Sequence, residues 1–115
     1  MRKPKQQAAP KLLEQQFVDR IIGLAMLQGW RVAHFRPALT SKGWRTPVQG
    51  DGEGFPDLIM VRAKVQIVAE CKSEAEEPTD DQRAWLQAFA AIPGCMCFVW
   101  WPHDWDEIEL LLKRA

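Results

Sequence analysis

Residues 54–72 read GFPDLIMVRAKVQIVAECK, two apolar runs separated by a polar interruption. Gly54 and Pro56 make a bend ahead of Asp57, and Leu58, Ile59, Met60 and Val61 follow as a short run of strand character. Arg62, Ala63 and Lys64 break the run, and a second extends from Val65 to Cys71. Strand side chains alternate between two faces, so Val65, Ile67, Ala69 and Cys71 share one face while Gln66, Val68, Glu70 and Lys72 share the other. Paired as an antiparallel hairpin, the runs bring Asp57 beside the end of the second, where Glu70 and Lys72 emerge. Two carboxylates and one ammonium converge there. Carboxylate oxygens are hard ligands that suit Mg²⁺ or Mn²⁺, and the main-chain carbonyl of Cys71 is a further oxygen donor. A divalent ion held there can polarise a phosphodiester and activate water, with Lys72 holding the water or neutralising charge on the phosphate. The stretch predicts a metal-dependent nuclease centre.

The order Asp57, then Glu70 and Lys72 one residue apart, resembles the catalytic signature of the PD-(D/E)XK nuclease superfamily. GFPD at 54–57, ECK at 70–72 and QRAWL at 82–86 together resemble, more narrowly, the VRR-Nuc family of virus-type replication and repair nucleases. The resemblance covers roughly residues 12–112, nearly the whole chain. It implies a restriction-endonuclease-like core and two further site residues. Glu14 matches the acidic residue by which the family's first helix reaches the metal, and Gln82 matches a residue that orients water or phosphate. Cys71 departs from the family, where an aliphatic residue is more usual; its side chain is expected to face the core.

At 115 residues the chain is long enough for one domain with a real core and too short for two. A composition of 47% hydrophobic and 26% charged residues is that of an ordinary globular domain rather than a disordered one. No apolar stretch reaches the length of a membrane span, and the basic start MRKPKQQAAPK lacks the apolar segment of a signal peptide. Three cysteines, Cys71, Cys95 and Cys97, all in apparent strands, point to a reducing, cytoplasmic setting rather than a disulfide framework. The formal net charge of zero excludes a protein that holds DNA by bulk electrostatics alone, but not a nuclease whose charges are locally placed.

Residues 1–11 are expected to form a flexible basic arm, with the nuclease-like domain spanning 12–115. Leu13, Phe17, Ile21, Leu24, Ala25 and Gln28 recur at helical spacing until Gly29, and Trp30 to Phe35 reads as a first strand. From Arg36 to Glu53, prolines and glycines interrupt any regular element. This stretch is expected to be a long functional loop, in which Ser41, Lys42, Trp44 and Arg45 suit phosphate contact and base stacking, or else a short edge hairpin. Thr79 followed by Gln82 is a capping box for a helix carrying Trp85, Leu86 and Phe89. Gln82 therefore has two possible employments, capping that helix or turning toward Glu70 and Lys72. Cys95 to Trp101 reads as a strand buried on both faces, and Asp104 with Glu107 as the cap of a last helix. The element order is αβββαβα, an α/β fold with a mixed central sheet flanked by helices.

These readings converge on a divalent-metal-dependent, structure-selective DNA endonuclease. Minimal stand-alone proteins of the resembled family are similar to homodimeric junction-cleaving enzymes of phages and bacteria. The resemblance therefore implies a dimeric Holliday-junction resolvase acting on branched DNA, with surface around Trp101 and Trp105 as a candidate interface. The alternatives are a repair-scaffold module with a vestigial metal site, a monomeric nicking or flap nuclease, and a structural domain in which Asp57, Glu70 and Lys72 form a salt-bridge cluster.

Overall fold

The computed structural model describes residues 10–35, 38–45 and 48–115, with the side chains of 10–12, 38–40 and 44–45 outside that description. Its elements run α1 (Pro10–Leu27), β1 (Arg31–His34), β2 (Ala38–Thr40), β3 (Gly43–Arg45), β4 (Leu58–Arg62), β5 (Val65–Cys71), α2 (Asp80–Ala90), β6 (Cys95–Trp100) and α3 (Trp105–Arg114). A short 3₁₀ turn at Pro102–Asp104 joins β6 to α3. The main sheet has the order β1-β4-β5-β6. β1 and β5 flank β4 in antiparallel sense, and β5 pairs with β6 in parallel. The fold is thus mixed α/β, a four-stranded mixed sheet flanked by helices. Among the described residues no helix is long and apolar enough to cross a membrane.

Alternation along the hairpin decides what each face of the sheet packs against. Leu58, Met60, Ile67, Ala69 and Cys71 are fully buried on one face, against Phe17, Val18, Ile21 and Ala25 of α1 and Ile108 and Leu112 of α3. Val18 replaces Leu13 in the expected stripe of α1, because Leu13 lies one turn too early to reach the core and stays 40% exposed. Val68 and Glu70 are buried on the opposite face, where α2 packs through Leu86. The two-residue turn at Ala63 and Lys64 fixes the register, with Ala63 in the left-handed region at φ 53°. Glycine is favoured in that conformation, and alanine tolerates it at a cost.

Helix α1 ends where Gly29 was expected to end it. Gly29 has φ 88°, its N–H bonds to the Met26 carbonyl, and the Trp30 N–H bonds to that of Ala25. This pair of bonds satisfies carbonyls the helix end leaves open. Trp30 is then buried with its indole N–H donating to the Leu112 carbonyl at 2.9 Å. The Arg62 guanidinium covers the Trp30 ring at 4.5 Å and donates to the carbonyls of Gln28 and Ala115, tying β4 to the ends of α1 and α3.

Four expectations need correction. Helix α1 begins at Pro10, so the first two helical residues come from the segment read as an arm; residues 1–9 lie outside the described residues. The stretch 36–53 carries the short hairpin of the second reading, β2–β3, in a two-stranded sheet of its own, so the order αβββαβα gains two short strands. β6 stops at Trp100 and is an edge strand. Only Trp100 is buried, because Met96 and Phe98 face the α1/α3 core at the sheet margin while Cys95 and Cys97 are half-covered by α2. Asp104 caps no part of α3; its Oδ2 accepts from the Trp101 N–H at 2.9 Å and closes the 3₁₀ turn instead.

Candidate active site at the end of the β4–β5 hairpin

Asp57 precedes β4, and the bend that places it is held from three sides. Pro56 is fully buried. Phe55 packs edge-on between Phe35 and Trp85, each at 5.0 Å between ring centroids. The Asp57 carbonyl accepts from the Phe35 N–H at 2.9 Å. Gly54 sits at φ 78° against the first turn of α2, so close that a Cβ there would lie 2.7 Å from main-chain atoms of Asp81 and Gln82. GFPD and QRAWL, distant in the chain, are one contact surface. Trp85 seals it by donating its indole N–H to the carbonyls of Asp51 and Glu53 at 3.0 and 3.1 Å.

The register continues from Leu58 opposite Ala69 to Asp57 opposite Glu70, so the two carboxylates lie side by side. Asp57 Oδ2 accepts from the Cys71 N–H at 2.8 Å. Glu70 is only 3% exposed and Lys72 only 9%. Lys72 Nζ stands 3.5 Å from Glu70 Oε2, and the Gln82 amide donates to the same oxygen at 2.8 Å. Glu70 Oε1 is buried away from any fixed donor, and Glu70 and Asp57 share a side-chain hydrogen bond that places a proton between their carboxyls. Burial and the neighbouring Asp57 push Glu70 up to about 9 against the pull of Lys72. Burial also raises Asp57, although the Cys71 amide and Lys72 favour its charged form. A buried carboxyl and its half-buried neighbour resist holding two negative charges, and without a cation they retain a proton near neutrality.

Gln82 serves both of its expected employments at once. Its carbonyl oxygen accepts from the Thr79 N–H at 2.8 Å while its NH₂ donates to Glu70, and Thr79 Oγ1 accepts from the Gln82 N–H at 3.2 Å. An amide has two chemically distinct ends, so one side chain closes the capping box and holds the carboxylate. Gln82→Ala is expected to lower stability by about 1–2 kcal/mol, the sum of a lost cap and a buried carboxylate deprived of a donor, as checked by urea denaturation.

Glu14 is brought to the site, where its charge bears on Glu70 and Cys71. It also hydrogen-bonds to Glu76, a residue the sequence reading missed. Glu76 Oε1 accepts from the Ser73 hydroxyl at 2.8 Å, and the Glu76 carbonyl accepts from the Trp101 indole at 2.8 Å. These bonds to Ser73 are the main reason its carboxyl sits below the ordinary range despite partial burial. The Cys71 side chain is fully buried in the core, so only its main chain is available to the site. His34 lies close enough for its charge to favour ionised Asp57.

Ser41 and Lys42 form the exposed turn of the β2–β3 hairpin, while the side chains of Trp44 and Arg45 lie outside the described residues. Trp101 and Trp105 do not form an exposed apolar patch. Trp105 packs on the core beneath the Arg20 guanidinium at 3.7 Å, and Trp101 stacks on His103.

Among the described residues no three His, Cys, Asp or Glu side chains are already gathered as a metal cluster. The groups that could hold a hard divalent ion there are Asp57 and Glu70, with the Cys71 carbonyl and, at the periphery, Glu14. No protein-family model matches the chain, and no curated protein matches its sequence.

Proposed function

We propose that the protein is a Mg²⁺- or Mn²⁺-dependent DNA endonuclease with a restriction-endonuclease-like core, similar to the VRR-Nuc branch of the PD-(D/E)XK nucleases. The observation that carries this reading is the pairing of two carboxyls, Asp57 and Glu70, that share a hydrogen bond beside one ammonium, Lys72. A salt-bridge cluster serving only stability matches carboxylates with cations, whereas here two carboxyls face one ammonium and only a further cation lets both ionise. Asp57, Glu70, the Cys71 carbonyl and Glu14 would hold the ion, which when bound supplies Lewis-acid polarisation of the phosphodiester and a more acidic water.

The chain's own groups do the rest. Gln82 holds Glu70 in place, and the Cys71 N–H holds Asp57. Lys72, nearly buried and directed at the same carboxylate, sets an ammonium where negative charge grows on the scissile phosphate, and its low exposure strengthens that interaction relative to water. A homodimer acting on branched DNA inside the cell is the form we favour, because two-fold pairing presents two centres to two strands.

The test compares wild type with Lys72→Ala on four-way-junction, flap and linear duplex DNA in Mg²⁺, Mn²⁺ or EDTA. Metal-dependent cleavage is expected to fall by about 10²–10³-fold in the variant, with paired incisions in the junction. Tight junction binding by folded protein without cleavage in any metal would point to a scaffold module. A monomer at all concentrations, with or without junction DNA, would remove the dimeric resolvase.

A further inference from the structure

A groove of about 590 Å³ opens beside the proposed centre, lined by Leu13, Gln16, Phe17 and Arg20 of α1, by Ser73 and Glu74, and by Pro102. Ser73 follows Lys72 directly. Ser73 and Glu74 lie just beyond the carboxyl end of β5 and Pro102 just beyond that of β6, the parallel pair of the sheet. Carboxyl ends of parallel strands are where α/β sheets take ligands. The α1 residues recur at spacings of three and four, so one face of the helix forms the wall, and Glu14 sits among them on the next face.

Arg20 is the groove's cation. Its guanidinium lies 3.7 Å over the Trp105 ring, and among the described residues it makes no ion pair. The ring holds the guanidinium plane without consuming its N–H donors, which are left for an anion. The one acid in the lining, Glu74, is engaged elsewhere: its Oε2 is 2.7 Å from His103 Nδ1. Leu13, at 40% exposure, supplies apolar surface, and Pro102 adds a second apolar side. A cation over an apolar wall, adjoining the proposed phosphodiester-cleaving centre at Ser73, the residue after Lys72, matches one nucleotide: phosphate to Arg20, base face to Leu13 and Pro102.

We infer that this groove receives an unpaired nucleotide of the DNA strand flanking the scissile phosphodiester, with Arg20 gripping its phosphate. The inference rests on the nuclease reading and specifies the substrate as DNA with a base free to leave the stack, since a duplex base has its faces covered by its neighbours. Base stacking on protein is tolerant of sequence, so the groove selects structure rather than sequence.

The test measures binding of a labelled single-stranded oligonucleotide and of its duplex, by fluorescence anisotropy in Ca²⁺ over a range of salt, for wild type, Arg20→Ala and Leu13→Glu. Cleavage by each protein is followed in Mg²⁺. Both variants alter exposed side chains, and circular dichroism melts confirm folding. Arg20→Ala is expected to weaken single-strand binding about 5–10-fold and to reduce the slope of log K against log salt by about 0.7, the signature of one lost phosphate contact. Leu13→Glu is expected to weaken single-strand binding similarly while duplex binding changes less than 2-fold. Unchanged affinity and slope in both variants, or losses confined to duplex, overturn the groove assignment while wild-type cleavage leaves the nuclease reading standing. Wild type that neither binds nor cleaves DNA overturns both.

Discussion

Gly54→Ala lowers the melting temperature by on the order of 10 °C and uncouples α2 from the proposed centre. Two costs add at this position. The left-handed backbone, φ 78°, costs an L-residue about 1–2 kcal/mol. The new methyl would also lie 2.7 Å from the main chain of Asp81 and Gln82, and helical backbone cannot rotate away as a side chain tip can. Together these amount to roughly 3 kcal/mol, or several degrees of melting temperature per kcal/mol for a chain of this size. The displaced segment carries Gln82, so the hydrogen bond to Glu70 is lost with the packing. Gly23→Ala is the matched control: it lies within α1 with open space around it, and is expected to stabilise by about 0.5–1 kcal/mol. Thermal melts of both variants decide the matter, and a Gly54→Ala protein that melts like wild type would show that the first turn of α2 does not bear on this bend.

Glu70→Gln is expected to make the metal-free protein more stable at pH 8, by about 2 kcal/mol, while removing the protection that Mg²⁺ or Mn²⁺ confers. The direction follows from linkage. Glu70 ionises near 4.5 when exposed and at about 9 in the folded protein. Between those values the folded chain holds a proton that the unfolded chain has released, so stability falls as pH rises through the window. Asp57 is raised as well and acts in the same sense. Glutamine has nearly the same shape, is neutral at every pH and retains an oxygen for the Gln82 NH₂. The advantage of the variant is therefore small near pH 4.5 and widens toward pH 9. Glutamine cannot share a proton with Asp57 as a protonated Glu70 does, which is why the gain falls well short of the full shift. Urea denaturation in EDTA at pH 5, 6.5 and 8 measures it. Wild-type stability that climbs with pH across this range would mean that Glu70 is ionised and well compensated in the absence of metal.

The hairpin and the face that carries Glu70 and Lys72 were legible because a period of two, bounded by Gly-Pro on one side and a polar turn on the other, leaves little choice of register. The capping box of α2 was legible because its spacing is a chemical requirement. Other features lacked such a signal. Strands of three residues, as in β2 and β3, are too short to display alternation, and the surrounding prolines and glycines read as loop. The run Cys95–Trp100 is apolar throughout, so it showed a strand beside the hairpin without showing that the strand is an edge. Glu76 was invisible because its partners, Glu14, Ser73 and Trp101, meet only when the segment after β5 folds back between α1 and the end of β6. Gln82 was read as a choice between two roles, since sequence spacing does not reveal that one amide can face two ways.

The short turn at Ala63 and Lys64 makes the hairpin a ruler. Asp57 and Glu70 are counted outward from it along opposite strands and meet only because the two counts agree. Substitutions in the strands leave that arithmetic untouched, but an insertion or deletion of one residue on either side sends one carboxylate to the far face of the sheet. The hairpin can thus accept many changes of letter and no change of spelling length, except in matched steps on both strands.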